Sequence, residues 1–308
     1  MRVALLHSVR MPARGYGGTE RVVVWLARGL AEAGHEVVAL APAGTRIPEA
    51  TLVPVDARQS RAPGFDVRRH LPKGVDIVHA HFPLEPPADV PLVWTLHGVA
   101  GSDTPLAPNA IAISRDHASR HNLTCYVYNG LDPSEYTFSA TKDRFDLFLG
   151  RLDTVKGWRW AVEGAHRAGR ELVVAGGWRP TLRPGLRFVG EVSGERKREL
   201  LAGARCLWMP AQWDEPFGLV LIESLASGTP VLGTRRGALP EVITRDVGAL
   251  GDTVEELVAL RPSLEQIDPA RCRARVERYF SHRVMTENYL QMYREFLGTG
   301  ALPANAGT

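Results

Sequence analysis

The feature of this chain that most constrains its fold is a series of short β-type runs alternating with helical patterns, and this series occurs twice. The first series starts at Val3–His7 and the second starts at Phe145–Leu149. Strands that alternate with helices form parallel sheets covered by helices. Two such series in 308 residues predict an α/β protein of two Rossmann-like, doubly wound parallel-sheet domains.

The apolar patterns locate the elements of both series. In the first half, predicted strands lie at Val3–His7, Glu36–Ala41, Val75–Ala80, Leu92–Leu96, Ala110–Ile113 and Cys125–Tyr128. In the second half, predicted strands lie at Phe145–Leu149, Leu172–Ala175, Arg187–Val189, Cys206–Pro210 and Val231–Leu232. Predicted helices of the second half lie at Trp158–Ala168, Glu195–Gly203, Gly218–Ser227 and Pro240–Thr244. An earlier helix, with apolar residues from Val22 to Ala33 at helical spacing, should end at Gly34.

A polar segment at residues 129–143 divides the two series. We therefore expect a first domain of residues 1–138 and a second domain of residues 139–280. After Pro269 the chain is again charged and helical, and its tail from Gly298 is rich in Gly, Ala and Pro, which predicts fraying. Open parallel sheets bind ligands beyond the carboxyl ends of their strands, so functional residues should directly follow strands in a cleft between the domains.

Composition argues against several functional classes. A net charge of +3 does not indicate the clustered basic face of a nucleic-acid-binding protein. No apolar run approaches the roughly 18 residues that span a bilayer, so no stable membrane insertion is expected. Three separated cysteines (Cys125, Cys206 and Cys272) form neither a disulfide framework nor a zinc cluster by themselves. The N-terminal residues are strand-like rather than a secretory leader, which predicts a cytoplasmic protein.

The segment from Asp214 to Val231 carries the strongest chemical pattern, because two glutamates flank seven residues. Glu215 should lie in a loop before a helix and Glu223 about two turns further on. The start of this helix offers free backbone N–H groups, and carboxylates beside it suit hydrogen bonds to sugar or ribose diols. The alternative is that Glu215 is an N-terminal helix charge and Glu223 a solvated helix residue.

The loop Gly15–Thr19 follows a strand and precedes a helix, as a dinucleotide-binding loop does. However, Glu20 replaces the third glycine of that fingerprint, and the loop starts too far beyond His7 for its tight turn. The amides of Gly17 and Gly18 are instead expected to approach an anionic ligand. A simple surface loop is the alternative.

Three histidines (His79, His81 and His97) lie at predicted strand ends. No acidic residue stands at a regular ligand spacing from them, so we expect no metal site. For His97, the alternative to an active-site role is a strand-end histidine bonded to the backbone. Ser114 has no evident base and orienting partner in the sequence, so hydrolytic triad chemistry is not supported.

Several of these blocks together resemble glycosyltransferase family 4. The two glutamates match the family's E-x7-E segment, and Gly150-Arg151-Leu152 with Lys156-Gly157 is similar to its "GRL…KG" element. The glycine-rich loop resembles its N-terminal loop. The remaining strand-end signatures are Asp76–His81, Thr95–Gly98, Ile113–Arg115 and Asn129–Asp132, and they occur in the family's order.

The resemblance implies the two-domain GT-B fold, with an acceptor-binding first domain, a donor-binding second domain, and a C-terminal helix at 281–308 that crosses back to the first domain. It also implies a role for each matching residue. Glu223 should bind the donor ribose, and Glu215 the hydroxyls of the transferred sugar. Arg151 and Lys156 should neutralise the donor diphosphate. The backbone of Phe217, Gly218 and Leu219 should line the sugar site, and His97 should lie beside the transferred sugar.

The activity implied is retaining glycosyl transfer from a nucleotide diphosphate sugar to an acceptor hydroxyl. A UDP-sugar is favoured over a GDP- or ADP-sugar as co-substrate, and no further cofactor is expected. No metal-binding DxD motif lies near the phosphate-binding residues, so the reaction should be metal-independent. The acceptor could be a small molecule, a glycan or a lipid, and the short first domain favours a small molecule.

The sequence also departs from the family's pattern, since Gly176-Gly177-Trp178 puts a bulky side chain where the nucleotide base approaches. Two other functions fit the same architecture. A nucleotide-sugar 2-epimerase would need acid and base carboxylates in the first domain, where no clear candidate stands. A non-catalytic nucleotide-sugar-binding protein would retain the residues that contact the donor but not the catalytic geometry.

Overall fold

The computed structural model describes residues 1–13, 17–101 and 106–304 of the chain, which divide into two compact units. Unit 1 contains residues 1–131 together with the segment that starts at His282, and unit 2 contains residues 132–281. The predicted residues Gly15 and Tyr16 and the last four residues of the tail lie outside the described ranges.

Each unit contains a six-stranded parallel sheet. The strands of unit 1 are β1 (Arg2–Leu6), β2 (Glu36–Ala41), β3 (Ala50–Pro54), β4 (Ile77–Ala80), β5 (Leu92–Thr95) and β6 (Ala110–Ile111). Those of unit 2 are β7 (Phe145–Leu149), β8 (Glu171–Ala175), β9 (Leu186–Phe188), β10 (Leu207–Met209), β11 (Val231–Gly233) and β12 (Gly248–Leu250). The predicted fold class, two doubly wound parallel sheets, is confirmed.

Helices connect the strands of both sheets. In chain order they are α1 (Gly18–Glu32), α2 (Arg115–Arg120), α3 (Trp158–Arg167), α4 (Gly194–Gly203), α5 (Leu219–Ala226), α6 (Leu239–Val242), α7 (Val254–Leu260), α8 (Pro269–Tyr279) and α9 (His282–Thr299). The charged region after Pro269 is thus two helices, of which α8 belongs to unit 2 and α9 to unit 1. No helix in the described ranges is long and apolar enough to cross a bilayer.

The two sheets share one strand order. Unit 1 runs β3-β2-β1-β4-β5-β6, and unit 2 runs β9-β8-β7-β10-β11-β12. The order reverses between β1 and β4 in unit 1 and between β7 and β10 in unit 2. Loops that follow neighbouring strands diverge at such a switch point and leave a crevice at the carboxyl edge of the sheet.

The predicted strand at Cys125–Tyr128 is wrong. The chain makes only one bridge there, between Ala112 and Tyr126, beside the two-residue edge strand β6. The apolar run is explained by burial, because Cys125 and Val127 are fully buried although, among the described residues, the segment pairs with Ala112 alone. The edge strands β3 and β12 were not predicted, since β3 is half exposed and β12 has only three residues.

A buried ion pair anchors the first strand of unit 2. Asp146 on β7 is fully buried, and its carboxylate accepts hydrogen bonds from the Arg261 guanidinium at 2.6 and 2.7 Å. The indole Nε1 of Trp208 on β10 donates to the same carboxylate at 2.8 Å. This network links β7 and β10, the two strands of the switch point, to the segment after α7.

We expect Asp146→Ala to lower the free energy of unfolding by about 3 to 5 kcal/mol, because it leaves the buried Arg261 charge without its partner. Urea denaturation measures this loss. The double change Asp146→Leu with Arg261→Met should cost less than Asp146→Ala alone. Glu199→Ala, which breaks an exposed pair with Arg196, is the control and should have little effect. Equal effects of Asp146→Ala and Glu199→Ala would contradict this account.

Candidate functional site

The switch point of unit 2 brings together residues that are far apart in the sequence. Arg151 and Lys156 follow β7, and the segment from Trp213 to Glu215 follows β10. Because β7 and β10 are parallel neighbours, both loops leave the sheet at the same edge. The two elements that the sequence pattern selected separately therefore meet at one place.

A lysine and a glutamate form an ion pair at this edge. The Lys156 Nζ lies 2.5 Å from Glu215 Oε2 and 4.8 Å from the centroid of the Trp213 ring. The Trp213 Nε1 donates a hydrogen bond to the same Glu215 oxygen at 3.1 Å. The side chains of Lys156 and Glu215 are 15% and 10% exposed, so the pair is largely shielded but open on one side.

Glycines allow the two loops to approach this closely. Gly157 has a φ of +74°, and a Cβ atom at this residue would lie 1.8 Å from the backbone oxygen of Pro210. Gly237 has a φ of +57°, and a Cβ there would lie 2.3 Å from the Glu215 backbone oxygen. The Ala238 N–H donates to that oxygen at 2.9 Å. The backbone on both sides of the ion pair is therefore fixed by close contacts that only glycine permits.

The start of α5 lies beside the ion pair in the sequence. Gly218 is the N-cap residue with a φ of +83°, and the helix begins at Leu219. Gly218 and Leu219 are half-buried, whereas the Phe217 side chain is 1% exposed and packs edge-on against Phe280. The predicted contact between the Phe217 backbone and a sugar stays a prediction.

The predicted diphosphate residue Arg151 is much more exposed than Lys156. Its side chain is 66% exposed, and its Nε lies 3.3 Å from Asp153 Oδ2. The guanidinium can thus reorient at small cost when an anion arrives. Trp178, which follows β8, is 64% exposed, so its indole also faces solvent rather than the core.

Glu223 lies in a buried polar network. It is 1% exposed, and its carboxylate accepts hydrogen bonds from the Tyr136 hydroxyl at 2.8 Å and from Lys197 Nζ at 2.7 Å. The alternative of a solvated helix residue is therefore wrong for Glu223. Sequence reasoning missed Tyr136 and Lys197, because neither stands at a spacing that connects it to Glu223.

In unit 1, Gly17 is the N-cap residue of α1, and Gly18 is its first residue. A Cβ on Gly17 would lie 2.4 Å from the Ala13 Cβ and 2.8 Å from Glu20 Oε2. Gly17 is thus required by local packing. This requirement does not distinguish a surface loop from a ligand-binding loop, and the expected approach of an anion to these amides stays a prediction.

Four histidines gather at the carboxyl edge of the unit 1 sheet. His7 follows β1, His79 and His81 stand at the end of β4, and His97 follows β5. The rings of His79 and His81 are 4.3 Å apart at their centroids, and those of His81 and His97 are 5.3 Å apart. Among the residues described, no group of three or more His, Cys, Asp or Glu side chains is placed to hold a metal ion.

Burial keeps these histidines neutral. It lowers the pKa of His79 to about 3, and it lowers the pKa of His7 to about 4 with a smaller contribution from the Arg61 guanidinium. Burial and the neighbouring histidines lower the pKa of His97 to about 3 and that of His81 well below its usual range. The imidazoles at the edge of unit 1 are thus uncharged at neutral pH, whereas the edge of unit 2 carries the charged pair of Lys156 and Glu215.

Gly157→Ala should disrupt the ion-pair site, because both its φ and the Pro210 carbonyl exclude a side chain. Gly169→Ala is the matched control, since Gly169 also has a positive φ of +65° but no atom within 4 Å of the added Cβ. Gly169→Ala should cost about 1 to 2 kcal/mol and Gly157→Ala clearly more. Urea unfolding measures both changes, and equal losses would contradict the proposed close approach.

The buried histidines should make the protein sensitive to acid. Their pKa values are lower in the folded than in the unfolded chain, so the unfolded chain binds protons first as the pH falls below about 6.5. The free energy of unfolding should then fall by up to about 1.4 kcal/mol per pH unit for each such histidine. Urea unfolding between pH 7 and pH 5 measures this slope.

His7→Asn tests the origin of this slope. It removes one titrating ring, and the loss of stability per pH unit should become smaller. His166→Asn, at an exposed histidine, is the matched control and should leave the slope of the wild type unchanged. If His7→Asn and the wild type lost stability in parallel, His7 would not be a buried neutral histidine.

Comparison with known families identifies the ancestry of both halves. Residues 16–135 match the family described as Glycosyltransferase Family 4, and residues 145–260 match the family described as Glycosyl transferases group 1. The two matched ranges together cover most of the chain. They contain the glycine-rich loop from Tyr16 onward, the histidines at 79–97, and the ion-pair site.

Individual relatives match over most of their length. The phosphatidyl-myo-inositol mannosyltransferase of Propionibacterium freudenreichii is 26% identical, over 82% of this chain and 82% of the relative. The enzyme of the same name from Mycolicibacterium smegmatis is also 26% identical, over 92% of each chain. Both relatives are glycosyltransferases by name.

Solved structures share the fold. AviGT4, a glycosyltransferase involved in Avilamycin A biosynthesis, superimposes with a TM-score of 0.79 at 28% identity and covers 98% of this chain and 99% of its own. The sucrose-phosphate synthase of Thermosynechococcus elongatus has a TM-score of 0.71 at 18% identity, covering 96% and 99%. These similarities confirm the two-domain GT-B architecture predicted from the sequence.

Proposed function

This chain belongs to glycosyltransferase family 4, and we propose that it moves a glycosyl group from a nucleoside diphosphate sugar to an acceptor hydroxyl with retention of anomeric configuration. The observation that carries the donor assignment is the shielded pair of Lys156 and Glu215 at the switch point of unit 2. A cation for phosphate and a carboxylate for sugar hydroxyls stand there in contact, beside the start of a helix.

Lys156 is suited to hold the donor diphosphate. An ammonium group has three hydrogen-bond donors, so it can keep its bond to Glu215 and still bind phosphate oxygens. The indole ring of Trp213 lies 4.8 Å from the ammonium and limits its access to water. Arg151 follows the same strand, and its exposed guanidinium can close on the diphosphate as a planar fork.

Glu215 is suited to bind the transferred sugar. One of its oxygens accepts from both Lys156 and Trp213, and a carboxylate has about four acceptor sites in total. The remaining sites can accept hydrogen bonds from two vicinal sugar hydroxyls. Backbone N–H groups at the start of α5 would bind oxygens of the same ligand.

Glu223 is proposed to bind the donor ribose from within its network. Its carboxylate is already bonded to Tyr136 and Lys197, which hold it in one orientation. A carboxylate preorganised in this way loses little entropy when a diol arrives. The contribution of Glu223 to affinity would then depend on Tyr136 and Lys197 as well.

The proposed reaction exchanges one bond at the anomeric carbon. The bond from this carbon to the β-phosphate oxygen breaks, and a bond to the acceptor oxygen forms on the same face of the sugar. The acceptor proton moves to the departing phosphate oxygen, so no protein base is needed. Lys156 and Arg151 stabilise the negative charge that develops on the diphosphate.

The two cations would supply the charge that a divalent metal supplies in other transferases, and we therefore propose a metal-independent reaction. A UDP-sugar remains the favoured donor.

The related mannosyltransferases are named for phosphatidyl-myo-inositol, and AviGT4 takes part in the biosynthesis of Avilamycin A. Small molecules and lipid headgroups that carry free hydroxyls are accordingly the acceptors to test, and a small molecule is favoured.

Nucleotide binding tests the donor site. UDP at 100 times its dissociation constant should stabilise the folded protein by about 2.7 kcal/mol and raise its unfolding temperature. Lys156→Met should abolish most of this shift, whereas Lys73→Met, at an exposed lysine of unit 1, should preserve it. The shift should not change with EDTA.

Parallel scans with GDP, ADP and dTDP identify the preferred base. If one of them raises the unfolding temperature more than UDP does, the preference for a UDP-sugar is wrong. The location of the donor site at the switch point of unit 2 is then still supported. If none of the four nucleotides shifts the wild type at millimolar concentration, the assignment of the donor site is wrong.

A further inference from the structure

The histidines of unit 1 form a hydrogen-bonded arrangement that the proposed transfer reaction leaves unexplained. His81 Nδ1 lies 3.0 Å from His97 Nε2, with the two rings stacked at 28°. His81 is 4% exposed and lies behind His97, which is half-buried. The partly exposed ring is therefore held by a fully enclosed one.

His79 also packs against His81. Its Nδ1 is 2.6 Å from the Tyr293 hydroxyl and its Nε2 is 2.7 Å from Thr95 Oγ1, so both of its nitrogens have partners. Its ring centroid lies 4.3 Å from that of His81. The imidazole of His81 is thus packed against a ring that cannot rotate without breaking two buried hydrogen bonds.

The contact between His81 and His97 contains a single proton. Both rings are neutral at pH 7, so each carries one N–H and one unprotonated nitrogen. A separation of 3.0 Å between two ring nitrogens requires that one of them donates. Either His81 donates from Nδ1, or His97 donates from Nε2.

The second nitrogen of His81 decides between these two arrangements. His81 Nε2 is buried, and no described residue is its hydrogen-bond partner. A buried N–H without a partner is rarer and more costly than a buried acceptor without one. The proton of His81 therefore belongs on Nδ1, where it has an acceptor, and Nε2 is the unprotonated nitrogen.

We propose that His81 is a positioning residue, which donates its Nδ1 proton to His97 Nε2 and makes His97 present an Nδ1–H donor to a hydroxyl oxygen of a substrate bound at the carboxyl edge of unit 1. The opposite tautomer would present a lone pair at the same place and would repel a substrate oxygen. The substrate contact rests on the proposed function. The tautomer of His97 does not, because it follows from the buried contact alone.

Nitrogen-15 NMR of the protein labelled at its histidines measures the tautomer directly, since protonated and unprotonated ring nitrogens differ widely in chemical shift. In the wild type at pH 7.5, His97 should be protonated on Nδ1 and unprotonated on Nε2. His97→Gln assigns the His97 signals. A His97 that carries its proton on Nε2 would overturn the proposal.

Two variants of similar size test the donor role of His81. His81→Asn keeps a side-chain N–H near the position of Nδ1, and His81→Leu removes it. The His97 tautomer should persist in His81→Asn and be lost or mixed in His81→Leu. Once a sugar donor and an acceptor substrate that support transfer are known, kcat can be measured. It should fall about 10-fold in His81→Leu and much less in His81→Asn, while KM for the sugar donor changes little.

The outcomes separate this inference from the proposed function. If no nucleotide sugar is transferred but the tautomer follows the pattern above, the positioning role of His81 stands and the proposed function fails. If transfer occurs and both variants retain full activity, or both lose it equally with an unchanged His97 tautomer, the positioning role is wrong. Should His81→Leu fail to fold, the wild-type spectrum still decides the tautomer.

Discussion

The contact between the loops that follow β7 and β10 is the constraint on which the candidate donor site depends. A backbone carbonyl at Pro210 occupies the space where Gly157 would carry a side chain, so the loop bearing Lys156 can lie directly against the loop bearing Glu215. Below it, the buried carboxylate of Asp146 ties β7 to Trp208 on β10 and to Arg261. The two neighbouring strands are thus joined through their side chains as well as through the sheet. An ion pair of 2.5 Å at their ends is the consequence.

The two sheets share one strand order, but different residues follow the strands at their switch points. The edge of unit 2 holds a shielded cation and anion, which suits phosphate and hydroxyl groups. The edge of unit 1 holds neutral imidazoles, whose pKa values burial has lowered. Such rings can donate or accept hydrogen bonds without adding charge. One sheet topology therefore supplies either charge stabilisation or uncharged hydrogen bonding, according to which residues follow the strands.

The sequence was sufficient for the fold and for selecting Lys156 and Glu215 as candidate site residues, because both lie in loops that follow apolar strands and the carboxyl ends of parallel strands share one edge. It did not predict that the two side chains form an ion pair. It was not sufficient for the surroundings of Glu223. The partners of that carboxylate lie 87 residues before it, at Tyr136, and 26 residues before it, at Lys197, and no periodicity connects these positions. The edge strands β3 and β12 escaped prediction for a related reason. Short or half-exposed strands are specified by the neighbour they pair with rather than by their own apolar pattern.

A crystal structure with a bound nucleoside diphosphate tests the central claim most directly. If the switch point of unit 2 is the donor site, the diphosphate oxygens will lie about 2.7 to 3.2 Å from Lys156 Nζ and from backbone amides at the start of α5. Lys156 will keep its contact with Glu215. A nucleotide that binds elsewhere, with Lys156 paired only to Glu215 as before, would contradict the account.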